Sequence, residues 1–153
     1  MKPNISEFFS LSVKEVLASL CQCDVEIGRS KMRNLSQTIE EVTIYLEATG
    51  KLRGQILYIM DKSFALELAS NMVGLPITEM DELSMSALSE VGNIITGSTM
   101  TKLSELGYYC ETTIPTIILG KDKQLPIVDS VGVLIPCKTP IGNLYIGISL
   151  REY

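Results

Sequence analysis

The sequence predicts an α+β fold, with long helices packed on one face of a largely antiparallel sheet and two diverged helix–strand–strand–strand halves. Three observations predict it. Two stretches, one near the start of the chain and one in its middle, carry apolar residues at helical spacing. Each is followed by runs rich in alternating or β-branched residues. Finally, Thr43-Ile-Tyr-Leu…Leu52-Arg-Gly54-Gln55-Ile56-Leu57-Tyr58-Ile59 is echoed by Val131-Gly-Val-Leu…Pro140-Ile-Gly142-Asn143-Leu144-Tyr145-Ile146-Gly147, at an offset of 88.

Taken in order, Asn4-Ile-Ser-Glu7 reads as a capping box ahead of Phe8, Leu11, Val16, Leu17 and Leu20. A first helix of about 17 residues, ending near Cys21–Cys23, follows from that spacing. Strand-like runs come next at Val25–Arg33, Glu41–Ala48 and Leu52–Met60, the last two joined at Gly50-Lys51 as a hairpin. Asp61 is placed to cap a short second helix that Gly74 stops. Thr78-Glu-Met-Asp81 caps a long helix over Met80–Leu106, which Gly107 ends. Three more strand-like runs follow at Tyr108–Leu119, Ile127–Cys137 and Gly142–Leu150.

Composition removes several classes of chemistry. At 153 residues, 46% hydrophobic and 20% charged, the chain is sized for one domain, residues 1–153, with an ample core. Its apolar runs are only a few residues long, so no transmembrane span is expected. The N-terminal residues lack the regions of a signal peptide, and a cytoplasmic location is expected. A net charge of −5 without a basic cluster argues against nucleic-acid binding. With no histidine at all, Ser-His-Asp and Cys-His catalysis fall away, and so does most zinc chemistry. Cys21 and Cys23 form C-x-C, neither the redox pair nor a zinc knuckle. Cys110 and Cys137 lie in strand-like runs, and all four cysteines read as structural. No metal ligands are expected in this chain.

The chemistry converges on the long helix. Its apolar stripe runs through Met80, Ala87, Val91, Ile94/Ile95 and Leu103/Leu106, with Ser98 filling a small position. At ~100° per residue, Ser86, Glu90, Asn93 and Gly97 share the opposite side. That face offers a hydroxyl, a carboxylate and a carboxamide beside a glycine. Gly92 and Gly97 together cost a helix ~2 kcal/mol against alanine if they serve nothing. Gly97 removes bulk where another surface can approach, and Gly92 suits either that or close packing. Carried back from Glu90 and Asn93, the offset of 88 lands on Lys2 and Ile5, so one site is expected rather than two.

Glu90-x-x-Asn93 on a long helix, preceded by Ser86 and followed by Pro115, resembles the motif of the CheC/CheX/FliY phosphatase family. In this chain 21 residues separate Asn93 from Pro115, one fewer than the family spacing. Length and the single motif are most similar to the CheX branch, and the resemblance covers the whole chain in element order. It implies a CheC-like fold and a hydrolase that acts on the aspartyl phosphate of a CheY-type response regulator in chemotaxis or other two-component signalling. It implies that Asn93 enters the regulator's active site and orients the attacking water, and that Glu90 pairs with the regulator's lysine. Ser86 and Gly97 are expected to contact the partner, Ser86 also being placed to hydrogen-bond Glu90. The metal ion, Mg2+, is implied to belong to the regulator, with no cofactor bound by this chain. A homodimer is implied too, with Val25–Arg33 or Tyr108–Leu119 as edge strands for a shared sheet.

The residue chemistry agrees. An aspartyl phosphate is already activated, so holding a water in line is what remains to be done. A carboxamide can accept from that water and donate to a phosphoryl oxygen without titrating. The alternative is a non-catalytic module that binds a signalling or flagellar motor protein, as FliM-type relatives do. Binding alone does not require the amide, and the presence of both Glu90 and Asn93 argues against it.

Overall fold

A computed structural model describes residues 4–126 and 131–153. Helix α1 (Ile5–Cys21) starts where Asn4 Oδ1 accepts the Glu7 N–H and stops at Gln22, which adopts a left-handed conformation. The stretch Val25–Arg33 forms two short strands, β1 (Glu26–Ile27) and β2 (Lys31–Asn34), instead of one. Between them the Gly28 N–H donates to Pro136 O at 2.7 Å, a close approach that breaks the run. Strands β3 (Val42–Gly50) and β4 (Leu52–Met60) make the expected hairpin, Gly50 turning at φ +111°. Helix α2 (Lys62–Val73) is capped by Asp61, which accepts the Phe64 N–H at 2.8 Å, and closed by Gly74.

Helix α3 (Glu82–Ser104) is the long central helix, two residues shorter at each end than the apolar pattern suggested. Gly107 therefore lies beyond the helix end rather than at it. Pro115 divides the next run into β5 (Cys110–Thr112) and β6 (Thr116–Leu119). Strand β7 (Val131–Thr139) pairs with β8 (Gly142–Glu152). The residues before Val131 in the strand expected from Ile127 lie outside the described ones.

Every strand pair is antiparallel, in the order β1–β7–β8–β4–β3–β5, with β2 also on β7 and β6 also on β3. The two halves thus exchange their first strands. β1 and β2 of the first half lie on the hairpin of the second, while β5 and β6 lie on the hairpin of the first. Register fixes the correspondence. Glu26 faces Lys138 as Glu111 faces Thr49, and Lys31 faces Leu134 as Thr116 faces Tyr45. These pairs relate β1–β2 to β5–β6 at an offset of 85 and β3 to β7 at 89; the two strand ranges then relate β4 to β8 at 90. The step from 89 to 90 is one extra turn residue, Pro140-Ile141 against Lys51 alone. The duplication holds, but the sequence echo at 88 is out of register. Being one short on β3, it would turn each of that strand's side chains to the wrong face.

All three helices cover one face of the sheet. Phe9, Val13 and Leu17 of α1 meet Ile44, Leu46, Ile56, Tyr58 and Ile146 of the sheet, with Phe64 and Leu68 from α2 and Leu88, Val91 and Ile95 from α3. The other face carries a smaller core of Leu35, Tyr45, Leu57, Ile59, Leu125 and Leu134. It is roofed by the segments around Leu35 and Leu125, joined where the Thr38 hydroxyl donates to Gly120 O at 2.7 Å and accepts the Lys123 N–H at 2.9 Å. The central strands are therefore buried on both sides and α3 rests on a stiff platform.

Candidate active site

The start of α3 is built by reciprocal capping. Asp81 accepts the Ser84 N–H at 3.0 Å, and Ser84 Oγ accepts the Asp81 N–H at 2.7 Å. The Ser84 N–H holds the Asp81 carboxyl below its ordinary range. From there the buried side of the helix runs through Ala87, Leu88, Val91, Gly92, Ile95, Thr96, Thr99 and Leu103. Lys102 ties the far end to α1, donating to Glu15 Oε2 at 3.0 Å and to Ser98 Oγ at 2.8 Å.

Ser86, Glu90, Asn93 and Gly97 are all exposed, on the side the sequence assigned to them. Three residues apart on an α-helix is about 4.5 Å of rise, so the Glu90 carboxylate and Asn93 carboxamide stand side by side. Among the described residues, no side-chain hydrogen bond or ion pair holds Ser86, Glu90 or Asn93. The expected bond between Ser86 and Glu90 is not formed, and both residues are exposed to solvent. The polar groups of this face are available to another molecule.

The two glycines separate in role. A Cβ on Gly97 would meet nothing within 4 Å, so this position is open towards solvent. A Cβ on Gly92 would lie 2.7 Å from Ile44 Cγ2 and 3.6 Å from Pro115 Cγ. Gly92 is therefore where the helix presses onto β3, and Pro115, itself buried, closes the flank of the turn that carries Asn93. The shortened spacing to Pro115 does not displace it from the site.

Part of the expected stripe is corrected. Ile94 is 40% exposed and Leu106, past the helix end, is 55% exposed, whereas Ile95 and Leu103 are buried. Adjacent isoleucines stand ~100° apart, and only one can enter the core. Ile94 joins exposed Leu83 beside Glu90, giving the polar face an apolar rim. Beyond Ile94 a groove of about 500 Å³ between the helices is lined by Val16, Leu20, Met72 and Asn71. Ile114, 83% exposed next to Pro115, is a second apolar rim residue that the sequence reading missed. Its signal was its place beside the motif proline.

The four cysteines are free. Burial pushes the Cys137 thiol up to about 12 and the Cys21 thiol up to about 11, leaving both protonated at neutral pH and poor nucleophiles. Among the described residues, no group of three or more His, Cys, Asp or Glu side chains could hold a metal ion. Among the described residues, no helix is long and apolar enough to cross a membrane.

Two exchanged halves, a helical layer on one sheet face and an exposed carboxylate–amide pair on the long helix define a CheC-like protein. Residues 42–138 match the family described as chemotaxis phosphatase CheX, well over half of the chain, and the chain belongs to that family. It is 28% identical over 131 residues to the CheY-P phosphatase CheX of Thermotoga maritima, covering 85% of this chain and 81% of that one. In fold it is similar to the chemotaxis protein CheX of Desulfovibrio desulfuricans, with a TM-score of 0.86 at 23% identity over 97% of this chain and all of the other. It is also similar to the CheX–CheY–BeF3–Mg2+ complex from Borrelia burgdorferi, with a TM-score of 0.82 at 24% identity, 99% of this chain and 100% of that one being covered.

Proposed function

We propose that this chain hydrolyses the aspartyl phosphate of a CheY-type response regulator, with Asn93 orienting the water and Glu90 pairing with the regulator's lysine. The observation that carries this reading is the pair itself, two adjacent polar side chains on a rigid helix, exposed and without an internal partner. Family membership and a relative named CheY-P phosphatase support it. So does a shared fold with a CheX solved together with CheY, BeF3 and Mg2+.

In this reaction water attacks phosphorus in line with the bond to the aspartate. That P–O bond breaks, the carboxylate is restored, and the proton from water leaves with inorganic phosphate. Asn93 Oδ1 accepts a hydrogen bond from the water while Nδ2 donates to a phosphoryl oxygen. Being uncharged, the carboxamide does this at any physiological pH. Glu90, one turn earlier, anchors the regulator's lysine so that docking and insertion use one rigid element. Exposed Ser86 and open Gly97 let the partner's surface approach. Mg2+ held by the regulator would supply charge stabilisation from that side.

The test follows phosphate loss from a phosphorylated CheY-type regulator. Wild type accelerates it, and Asn93→Ala lowers kcat by about 10²–10³ while still binding, as expected for loss of a preorganised polar group. Glu90→Ala weakens association most. A wild type that binds the regulator without speeding its decay would instead make the chain a binding module.

A further inference from the structure

Behind the exposed face lies a buried polar contact. The Tyr58 hydroxyl of β4 and Thr96 Oγ1 of α3 are hydrogen-bonded at 2.7 Å, and the two residues are 0% and 1% exposed. Around them the interface is aliphatic, with Ile44, Ile56, Val91 and Ile95. Close packing there resists separation and large rotations, but hydrophobic contact has no direction of its own to select one fine setting. A buried hydrogen bond does have direction, and breaking it leaves two unsatisfied hydroxyls in an apolar site. Burial raises the Tyr58 phenol above its ordinary range, so it stays protonated.

Thr96 lies three residues after Asn93, and in a rigid helix their directions about the axis are fixed relative to each other. A side-chain head ~6 Å from the axis moves ~1 Å for each 10° of rotation. Misplacement by that distance can cost a reaction that depends on positioning about a hundredfold. Gly92 sets the other coordinate. With no Cβ it lets α3 close onto Ile44, fixing how far the helix stands from the sheet.

We infer that Tyr58 and Thr96 are positioning residues, their buried hydrogen bond setting the rotation of α3 and with it the reach of Asn93 into a bound regulator. The inference rests on the phosphatase reading for its kinetic consequence but has a readout independent of it. Thr96→Val keeps shape and removes the hydroxyl, while Thr96→Ser keeps the hydroxyl. With a phosphorylated CheY-type regulator, Thr96→Val and Tyr58→Phe are each expected to lower kcat about ten- to a hundredfold at unchanged KM. Thr96→Ser retains most of the rate, and the double variant is no worse than either single one. A folded Thr96→Val with wild-type kcat would overturn the inference. Crystal structures of wild type and Thr96→Val decide the matter without any turnover. An Asn93 displaced by about 1 Å supports the lock, and an Asn93 unmoved refutes it. An inactive wild type refutes the phosphatase reading instead, and the displacement then still judges the lock.

Discussion

Helices α1 and α3 occupy corresponding places in the two halves, yet they carry different cargo. With Glu7 laid on Glu90, an offset of 83, buried Phe9, Ser12 and Val13 of α1 fall on buried positions of α3. This offset places Phe9 on Gly92, Val13 on Thr96 and Leu11 on Ile94, with Ser10 on Asn93. On the sheet, Tyr58 corresponds to Ile148 and Ile44 to Val133. In that alignment the α1 half has a carboxylate and an exposed apolar neighbour but fills its interior with Phe9, Val13 and Ile148. The α3 half has a glycine pressed on isoleucine and a tyrosine–threonine hydrogen bond. One half holds its helix by volume, the other by close approach and direction. The difference teaches that the amide goes with a particular way of seating the helix beneath it.

The largest expected effect tests that contrast in stability. Phe9→Ala empties a fully buried site and should cost ~3–5 kcal/mol in urea denaturation while leaving kcat per folded molecule unchanged. Gly92→Ala should cost ~1–3 kcal/mol, because the new methyl lies 2.7 Å from Ile44 Cγ2, and should lower kcat as well. Alanine is the better helix former by ~1 kcal/mol, so a stabilised Gly92→Ala would break the comparison at its first step.

Much of this arrangement was legible in the sequence for local reasons. The cap at Asp61, the stop at Gly74 and the turn at Gly50 are fixed by side-chain chemistry within a few residues, whereas the box expected over Thr78–Asp81 forms three residues on, from Asp81 to Ser84. The exposed set Ser86, Glu90, Asn93 and Gly97 follows from helical period alone. What escaped depends on partners distant in the chain. The second core around Leu57 and Leu125 needs a roof that no periodicity announces, although the near-continuous apolar run of β4 is the mark of a strand buried on both faces. The split of Val25–Arg33 rests on Pro136, more than a hundred residues away. Choosing Ile95 over Ile94 for the core, and seeing Thr96 as anything but a weak helix former, required the sheet beneath α3.

A smaller effect sharpens the comparison through pH. The α3 cap is a carboxylate, Asp81, held low first by the Ser84 N–H, whereas the α1 cap, Asn4, does not titrate. A carboxyl depressed in the folded state adds stability that is fully present above its unfolded pKa of about 3.9. That stability is lost as pH falls through the lower folded value. Melting temperatures from pH 6 downward should therefore drop more steeply below about pH 4 for wild type than for Asp81→Asn. Parallel curves would mean that the cap contributes no pH-dependent stability to the α3 half.

The smallest expected effect is the most discriminating. Ser10→Asn builds a Glu-x-x-Asn pair on α1, since Glu7 stands three residues before Ser10 as Glu90 does before Asn93. Placed in the Asn93→Ala background, it should restore no measurable phosphate loss from a phosphorylated CheY-type regulator. Ser10 is half-buried where Asn93 is exposed, so a new amide would start deeper against the molecule. Lys14 lies four residues after Ser10, as Gly97 does after Asn93, setting a long cationic side chain where α3 leaves open space for a partner. Its charge would also oppose the regulator's own lysine and metal. Beneath, Val13 and Ile148 offer no directional bond to hold the rotation of α1. If Ser10→Asn nonetheless restores activity, the motif suffices on any exposed helix and the seating of α3 is packing without catalytic consequence. If it fails while Ser10→Asn with Lys14→Gly succeeds, steric access rather than rotation separates the halves. Failure of both, alongside a slow Thr96→Val, leaves the buried hydrogen bond as the feature that the α1 half lacks.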